Sequence, residues 1–372
     1  MGDPRVKVRV KVKVHKPFWQ RHPLWFAGML AGFVAFMAAV AVIFFSDNKA
    51  SEDIINAGQR NSLVTLPLDD GPHDVMTEWW YYSGHLETAT GRQFSYHYTI
   101  FAHRALANHT IIHATLLDQE TGITYAYENR IPGFYTQPLG RDGVQINQGQ
   151  WKMKIINGID TLMGKAENFS FDLDLNDQHG PVMQDGDGLA DFKVAGESYY
   201  YSRPRMKTSG QVMVDGQVYT VSGSSWFDHQ WGEFRAGVLD WEWFALQLDN
   251  GADVMLFQLK DHQGESVYLG GTYSQDGRHH QLKEEDFTLT ALDEFYSEKT
   301  RTTYQNAWRI EIPEYGVDLQ AKAVKANSEF DARKSSYSLY WEGPLAISGS
   351  HTGKAFLEVS KSSSAAAKQF LP

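Results

Sequence analysis

The sequence predicts an all-β protein, with two barrel- or sandwich-type β domains preceded by one N-terminal transmembrane helix. From Asp69 onward, short runs of alternating residues are punctuated by Thr-Gly, Asp-Gly and Asn-Gly turns, and no stretch keeps a helical period. The run EWWYYSGHLETATGRQFSYHYTIF (78–101) is echoed by DWEWFALQLDNGADVMLFQL (240–259), aligning Trp79 with Trp241 and Tyr81 with Trp243. One such echo in a chain of 372 residues points to two related domains rather than a repeat array. Ahead of them, residues 24–45 (LWFAGMLAGFVAFMAAVAVIFF) form an uncharged run long enough to cross a bilayer as a helix.

Taken in order, residues 1–23 read as a basic cytoplasmic tail. Seven of the 34 Lys and Arg, but one of the 45 acids, precede Asp47, so the positive-inside rule exports everything downstream of the anchor. The expected location is the inner membrane of a bacterial-type cell, with a single pass and a periplasmic or extracellular globular part. A cleaved signal peptide is the rival reading, but the basic region is long and the apolar core exceeds the usual 7–15 residues. Residues 46–68 read as a linker, 69–236 as the first β domain, 237–360 as the second and 361–372 as a disordered tail. The part beyond residue 46 holds 27 basic against 44 acidic residues, a poor match to a polyphosphate, so no nucleic-acid partner is expected. Without cysteine there can be no disulfide, thiolate nucleophile, Cys-ligated zinc or acylated lipoprotein anchor.

The strand 92–103 places Phe94, Tyr96, Tyr98 and Ile100 on one face and Ser95, His97, Thr99, Phe101 and His103 on the other. Neither face suits plain solvent, as expected of a barrel strand whose second face also lines something. The stretch GSSWFDHQWGE (223–233) has the same character. In extended form it sets Trp226 and Asp228 on one side and Phe227, His229, Trp231 and Glu233 on the other. Acids and an imidazole between indoles suit a ligand site, because apolar walls exclude water and shift pKa values. A Trp-rich corner with its polar groups on backbone is the bland alternative. The candidate catalytic residues are Asp228, His229, Trp231 and Glu233; the candidate ligand contacts are Trp79, Trp80, Tyr82, His97, Trp226, Trp241 and Trp243. Asp228 or Glu233 could protonate an alkene, Trp226 and Trp231 could face the cation, and His229 could serve as base. The same set could hold a polar head group and an apolar tail without chemistry.

His97, His103, His109 and His113 raise a metal question, but no zincin-type spacing occurs and polar lining explains them equally; no metal or cofactor is expected. Gln184–Asp191 (QDGDGLAD) lacks the EF-hand positions and reads as a turn. Tyr199, Tyr200, Tyr201, Arg203 and Arg205 fit either an anion at a pocket mouth or cross-strand packing with surface arginines.

Five segments in order, TEWWYYSGHL, FSYHYTIFAHR, SYYYSRPRM, GSSWFDHQWGE and YWEGPLAISGSHTGKAFLEVS, resemble the carotenoid 1,2-hydratase and AttH-like family. The resemblance implies two lipocalin-like β domains and a pocket, in or between them, for an apolar or amphiphilic small molecule. Related members act as hydratases or cyclising enzymes on polyene or polyketide-like substrates. The family's His-x-Trp motif falls on His229 and Trp231. The tyrosine and acid of the hydratases' following strand have no full counterpart, since residues 252–260 offer Asp253 and Gln258 but no tyrosine. The leading expectation is a membrane-anchored, extracytoplasmic protein that binds a lipophilic small molecule in an aromatic-lined pocket. The alternatives are a hydro-lyase on an isoprenoid or other unsaturated lipid, with Asp228 and His229 as acid and base, and a periplasmic scaffold for an unknown protein partner.

Overall fold

The computed structural model describes residues 62–104, 108–134, 136–138, 143–234, 238–261 and 263–361. The expected basic tail, membrane helix and last eleven residues lie outside them. Among the described residues no helix is long and apolar enough to cross a membrane.

Two antiparallel sheets account for the fold. The first comprises β1 (Thr77–Glu87), β2 (Gln93–His103), β3 (His109–Asp118), β4 (Ile123–Pro132), β5 (Thr136–Pro138), β6 (Gly143–Gln148), β7 (Trp151–Ile156), β8 (Ile159–Lys165), β9 (Phe169–Asp177), β10 (Val182–Met183), β11 (Leu189–Asp191), β12 (Glu197–Val214) and β13 (Gln217–Gly232). Its path is β4-β3-β2-β1-β13-β12-β9-β8-β7-β6-β5, with β10 and β11 paired to β12. The second comprises β14 (Asp240–Leu248), β15 (Asp253–Lys260), β16 (Ser266–Gln275), β17 (Arg278–Lys283), β18 (Thr288–Ser297), β19 (Thr302–Ile312), β20 (Val317–Ala323), β21 (Glu329–Ala332), β22 (Ser338–Gly349) and β23 (Gly353–Lys361). It follows β17-β16-β15-β14-β23-β22-β20-β19-β18, with β21 paired to β22. Each sheet thus opens with four strands in a meander whose first strand pairs with the sheet's last, β1 with β13 and β14 with β23. The sequence echo marks these matching hairpins.

Alternation decides what each face buries. In β9, Phe169, Phe171, Leu173 and Leu175 turn inward between exposed polar neighbours. With Trp80, Tyr82, Tyr96, Tyr98 and Trp151 they fill the first curled, barrel-like sheet. Phe244, Leu246, Tyr304, Trp308 and Trp341 do the same in the second. A third core lies between the sheets, where Tyr81, Tyr200 and Trp226 meet Trp243, Met255, Phe257 and Phe356. This layer explains why β1, β2 and the second half of β13 are buried on both faces along most of their length: one side fills the barrel and the other packs on the neighbouring sheet. Val64 and Leu66, within the expected linker, are buried in the first core, so ordered packing begins before Asp69.

Beneath the first barrel's aromatics lies a buried ion cluster. The Arg203 guanidinium is inaccessible to solvent and contacts Asp70 (2.5 Å), Asp160 (3.3 Å) and Asp177 (3.8 Å). Tyr201 donates to Asp70 (2.6 Å) and Tyr82 to Asp160 (2.8 Å). Burial pushes Asp160 up to about 7 against the pull of Arg203. Arg203 is therefore neither a surface residue nor an anion contact at a pocket mouth. Only Arg205, a quarter exposed and paired with buried Asp253 at 2.7 Å, lies near the surface.

Candidate active site

The sequence-selected residues separate into two groups, because neighbours on a strand point to opposite faces. Strand β13 runs between β1 and β12. Its register sets His229 beside Trp80 and Tyr201, Trp231 beside Glu78 and Tyr199, and Phe227 beside Tyr82 and Arg203. All of these face the first barrel's interior. Trp226 and Asp228 face the layer between the sheets, as do Trp79, Trp241 and Trp243. Asp228 and His229 therefore do not form the expected acid–base pair, being on opposite sides of one strand. Glu233 is exposed and accepts a hydrogen bond from the Met76 amide (3.2 Å), which removes it from both groups.

Inside the barrel, His229 is fully buried among rings. Its imidazole stacks on Trp80 (4.7 Å between centroids) and meets Trp231 (4.6 Å) and Tyr201 (5.6 Å). Its Nε2 lies 3.0 Å from Glu78 Oε1, whereas Nδ1 has no hydrogen-bond partner among the described residues. The same Glu78 oxygen lies 2.7 Å from His73 Nδ1, and the His73 amide donates to both carboxylate oxygens at 3.0 and 3.1 Å. His73 stacks face to face on Trp231, 4.1 Å away and 2° from parallel, and its Nε2 is 3.4 Å from Asp69. Surrounded by donors, Glu78 is a carboxylate: burial would raise its pKa, but the hydrogen bonds from His229 and His73 outweigh that and hold it low. Burial lowers the pKa of His229 despite Glu78. The neutral imidazole then donates from Nε2 to Glu78 and leaves the Nδ1 lone pair bare, the arrangement of an oriented general base. At His73 burial also acts downward, but hydrogen bonds to Asp69 and Glu78 outweigh it and raise the pKa.

Neither Glu78 nor His73 was among the sequence-selected residues. Glu78 heads the TEWWYYSGHL run, but nothing local shows that β1 pairs with a strand some 150 residues away. His73, Glu78 and His229 also present atoms within 4.8 Å of one another, a spacing that could hold a metal ion, whereas the four histidines considered from sequence form no such group among the described residues. Glu78 Oε1 is here at hydrogen-bond distance from both rings, so a metal would have to displace both protons.

The layer between the sheets holds a second polar network. Asp228 accepts from Trp226 Nε1 and Tyr200 OH, both at 2.7 Å, and Trp243 Nε1 donates to the same tyrosine oxygen at 3.2 Å. Burial pushes Asp228 up to about 6. Glu342 accepts from Tyr81 OH (2.7 Å) and lies 3.2 Å from His97 Nδ1. Burial, then the nearby negative charge of Glu358, raise its pKa well above the ordinary range. The cavity beside Trp226, bordered by Ser83, His85, Gln247 and Phe356, measures about 10 Å³, the lower limit of what a single water needs. Beside this cavity Trp226 packs edge to face on Trp243, with 6.0 Å between ring centroids.

The AttH-like family model matches residues 57–361. This chain belongs to the AttH-like family. Among solved structures, this AttH-like chain is similar to an AttH protein of Nitrosomonas europaea, with 23% identity over 80% of this chain and 96% of that one and a TM-score of 0.72. It is also similar to kievitone hydratase of Nectria haematococca, with 19% identity over 82% and 98% of the two chains and a TM-score of 0.66. At these identities the likeness is one of fold. The dehydratase asqC of Emericella nidulans is 23% identical over 194 residues, half of the AttH-like chain and 55% of the dehydratase. The chain thus spans about half the length of that curated relative.

Proposed function

We propose that this AttH-like protein binds a lipophilic small molecule and adds or removes water across one of its carbon–carbon bonds, with His229 as the group that moves the proton. One observation carries the reading: a fully buried imidazole, fixed at Nε2 by a carboxylate, whose Nδ1 is bare between indole rings. In dehydration, Nδ1 takes a proton from carbon while the Glu78 carboxylate stabilises the imidazolium, and the same proton then leaves with the hydroxyl as water. Hydration is the reverse. The names of kievitone hydratase and of the dehydratase agree with this class.

The test is incubation of the purified protein with a panel of hydroxylated and unsaturated isoprenoids and polyketides in H₂¹⁸O, read by mass spectrometry. Gain or loss of water by wild type, absent in His229→Asn, supports the proposal; equal activity in the variant overturns it. Ligand carriage without chemistry is the second reading, favoured by the aromatic walls, and would show as tight uptake of panel members without any mass change.

We further propose that residues 24–45 anchor the protein in a membrane with the β domains on the extracytoplasmic side. Deleting residues 1–45 is expected to move the protein into the soluble fraction. Retention in the membrane would count against the anchor.

A further inference from the structure

Glu78 Oε1 is the meeting point of two imidazole nitrogens from distant parts of the chain. His73 Nδ1 approaches it at 2.7 Å from the loop before β1, and His229 Nε2 at 3.0 Å from β13. The three atoms lie within 4.8 Å of one another. Two imidazoles and a carboxylate are the ligand set of a three-point zinc site that keeps a fourth position for water. Zinc at about 2.0–2.1 Å from each atom, with tetrahedral angles, needs them roughly 3.3 Å apart, so the two contacts would open by only about 0.3–0.6 Å. The surroundings already hold the ligands. His73 Nε2 lies 3.4 Å from Asp69, the carboxylate–imidazole–metal order that orients a ligand ring, and the His73 amide donates to both Glu78 oxygens. Asp69 and Glu78 together match the charge of a dication. The His73 side chain is 21% exposed, against 1% for Glu78 and 0% for His229, so one ligand of the trio meets solvent and gives an ion its way in.

We propose that His73 Nδ1, Glu78 Oε1 and His229 Nε2 bind a divalent cation of the zinc class, and that the bound ion silences His229 as a base. Two nitrogen donors select zinc, cobalt and their neighbours over magnesium and calcium, which take oxygen. The ion occupies the Nε2 lone pair, so a neutral His229 ring must carry its one proton on Nδ1, the atom that would otherwise take a proton from substrate. At His73 the remaining proton sits on Nε2, toward Asp69. Any proton beyond one per ring leaves to water, and no bond to carbon forms or breaks. The silencing rests on the reading of His229 as the base; the cation site does not.

The experiment titrates the chelator-stripped full chain with zinc chloride, reads affinity by competition with a chromophoric chelator, and follows the ¹⁵N-histidine-labelled protein by NMR, with His229 signals assigned from their absence in His229→Asn. Tight binding of zinc that excess magnesium or calcium does not displace is expected in wild type. His73→Gln and Glu78→Gln should each weaken it by at least about 100-fold, and Asp69→Asn, which acts through the His73 ring, by about 10–100-fold. Melting of each metal-free variant shows that it folds, and zinc should raise the melting temperature of wild type more than that of any variant. Zinc affinity equal to wild type in all three folded variants would place the ion elsewhere and overturn the site. In zinc-loaded wild type the His229 Nδ1 signal should move from the bare to the protonated type. A filled site with Nδ1 still bare overturns the silencing, as does a substrate turned over equally fast with zinc bound. Zinc held by this trio in a protein inert to every substrate would leave the site standing and the hydro-lyase reading fallen, whereas turnover in a chain whose trio takes no zinc would do the reverse.

Discussion

Replacing Arg203 by methionine probes the polar centre of the first barrel. The substitution keeps much of the side-chain volume but removes the cation from among Asp70, Asp160 and Asp177, of which Asp70 and Asp160 are wholly shut off from water. Stranding one partner of a buried ion pair costs about 3–5 kcal/mol. At roughly 2–4 °C per kcal/mol, the melting temperature should fall by roughly 6–20 °C. The deficit should depend on pH. Asp160, already pushed up to about 7, binds its proton more tightly when folded than when unfolded, so its contribution to stability falls as pH rises from the ordinary carboxylate range through about 7. Without Arg203 the proton is held still more firmly, and protonation relieves the stranded charge. The variant should therefore be closest to wild type near pH 5 and furthest from it near pH 8. Thermal denaturation of both proteins at the two pH values measures this. A variant as stable as wild type at pH 8, or a deficit larger at pH 5, would refute the reasoning.

Glu78→Gln should leave the fold intact but lower turnover by about 10²–10⁴-fold on any substrate found, with a smaller effect on KM, as steady-state kinetics would show. Tyr200→Phe removes one donor from Asp228, so its pKa should move further above about 6, and the loss of stability with rising pH that accompanies this group should extend to higher pH; ¹³C NMR of the carboxyl carbon and pH-dependent melting report the two effects. Gly84→Ala would set a Cβ 2.5 Å from Ser225 Oγ and from the Tyr96 ring, whose hydroxyl is bonded to that serine at 2.7 Å. Neither can easily withdraw, and a cost of about 1–3 kcal/mol should appear in urea unfolding.

The alternation of Phe94, Tyr96, Tyr98 and Ile100 with Ser95, His97 and Thr99 made both faces of β2 legible in the sequence, and both are buried. The run 223–233 likewise divides between its faces as its period dictates. Which face fills a barrel and which meets the other sheet was not legible, because a strand's period gives parity and not the identity of the partner. That is why Trp80 and Trp79, adjacent in the chain, were grouped although they belong to different cores. The place of Arg203 is hidden for a related reason: a cation just after three tyrosines fits a surface position until aspartates from the turn before β1 and from the ends of β8 and β9 converge on it. Glu78 stood in view within an aromatic run, but its meaning depended on a register joining β1 to β13. His73 lies in a Gly-Pro turn with no period at all.

The central claim is that buried His229 keeps its proton on Nε2, toward Glu78, and leaves Nδ1 free to act as a base. The ¹⁵N shifts of the His229 ring at neutral pH measure this directly. Protonated-type nitrogen at Nε2 and bare-type nitrogen at Nδ1, with the preference weakened in Glu78→Gln, is the predicted result. A proton on Nδ1, or a tautomer indifferent to Glu78, would contradict it.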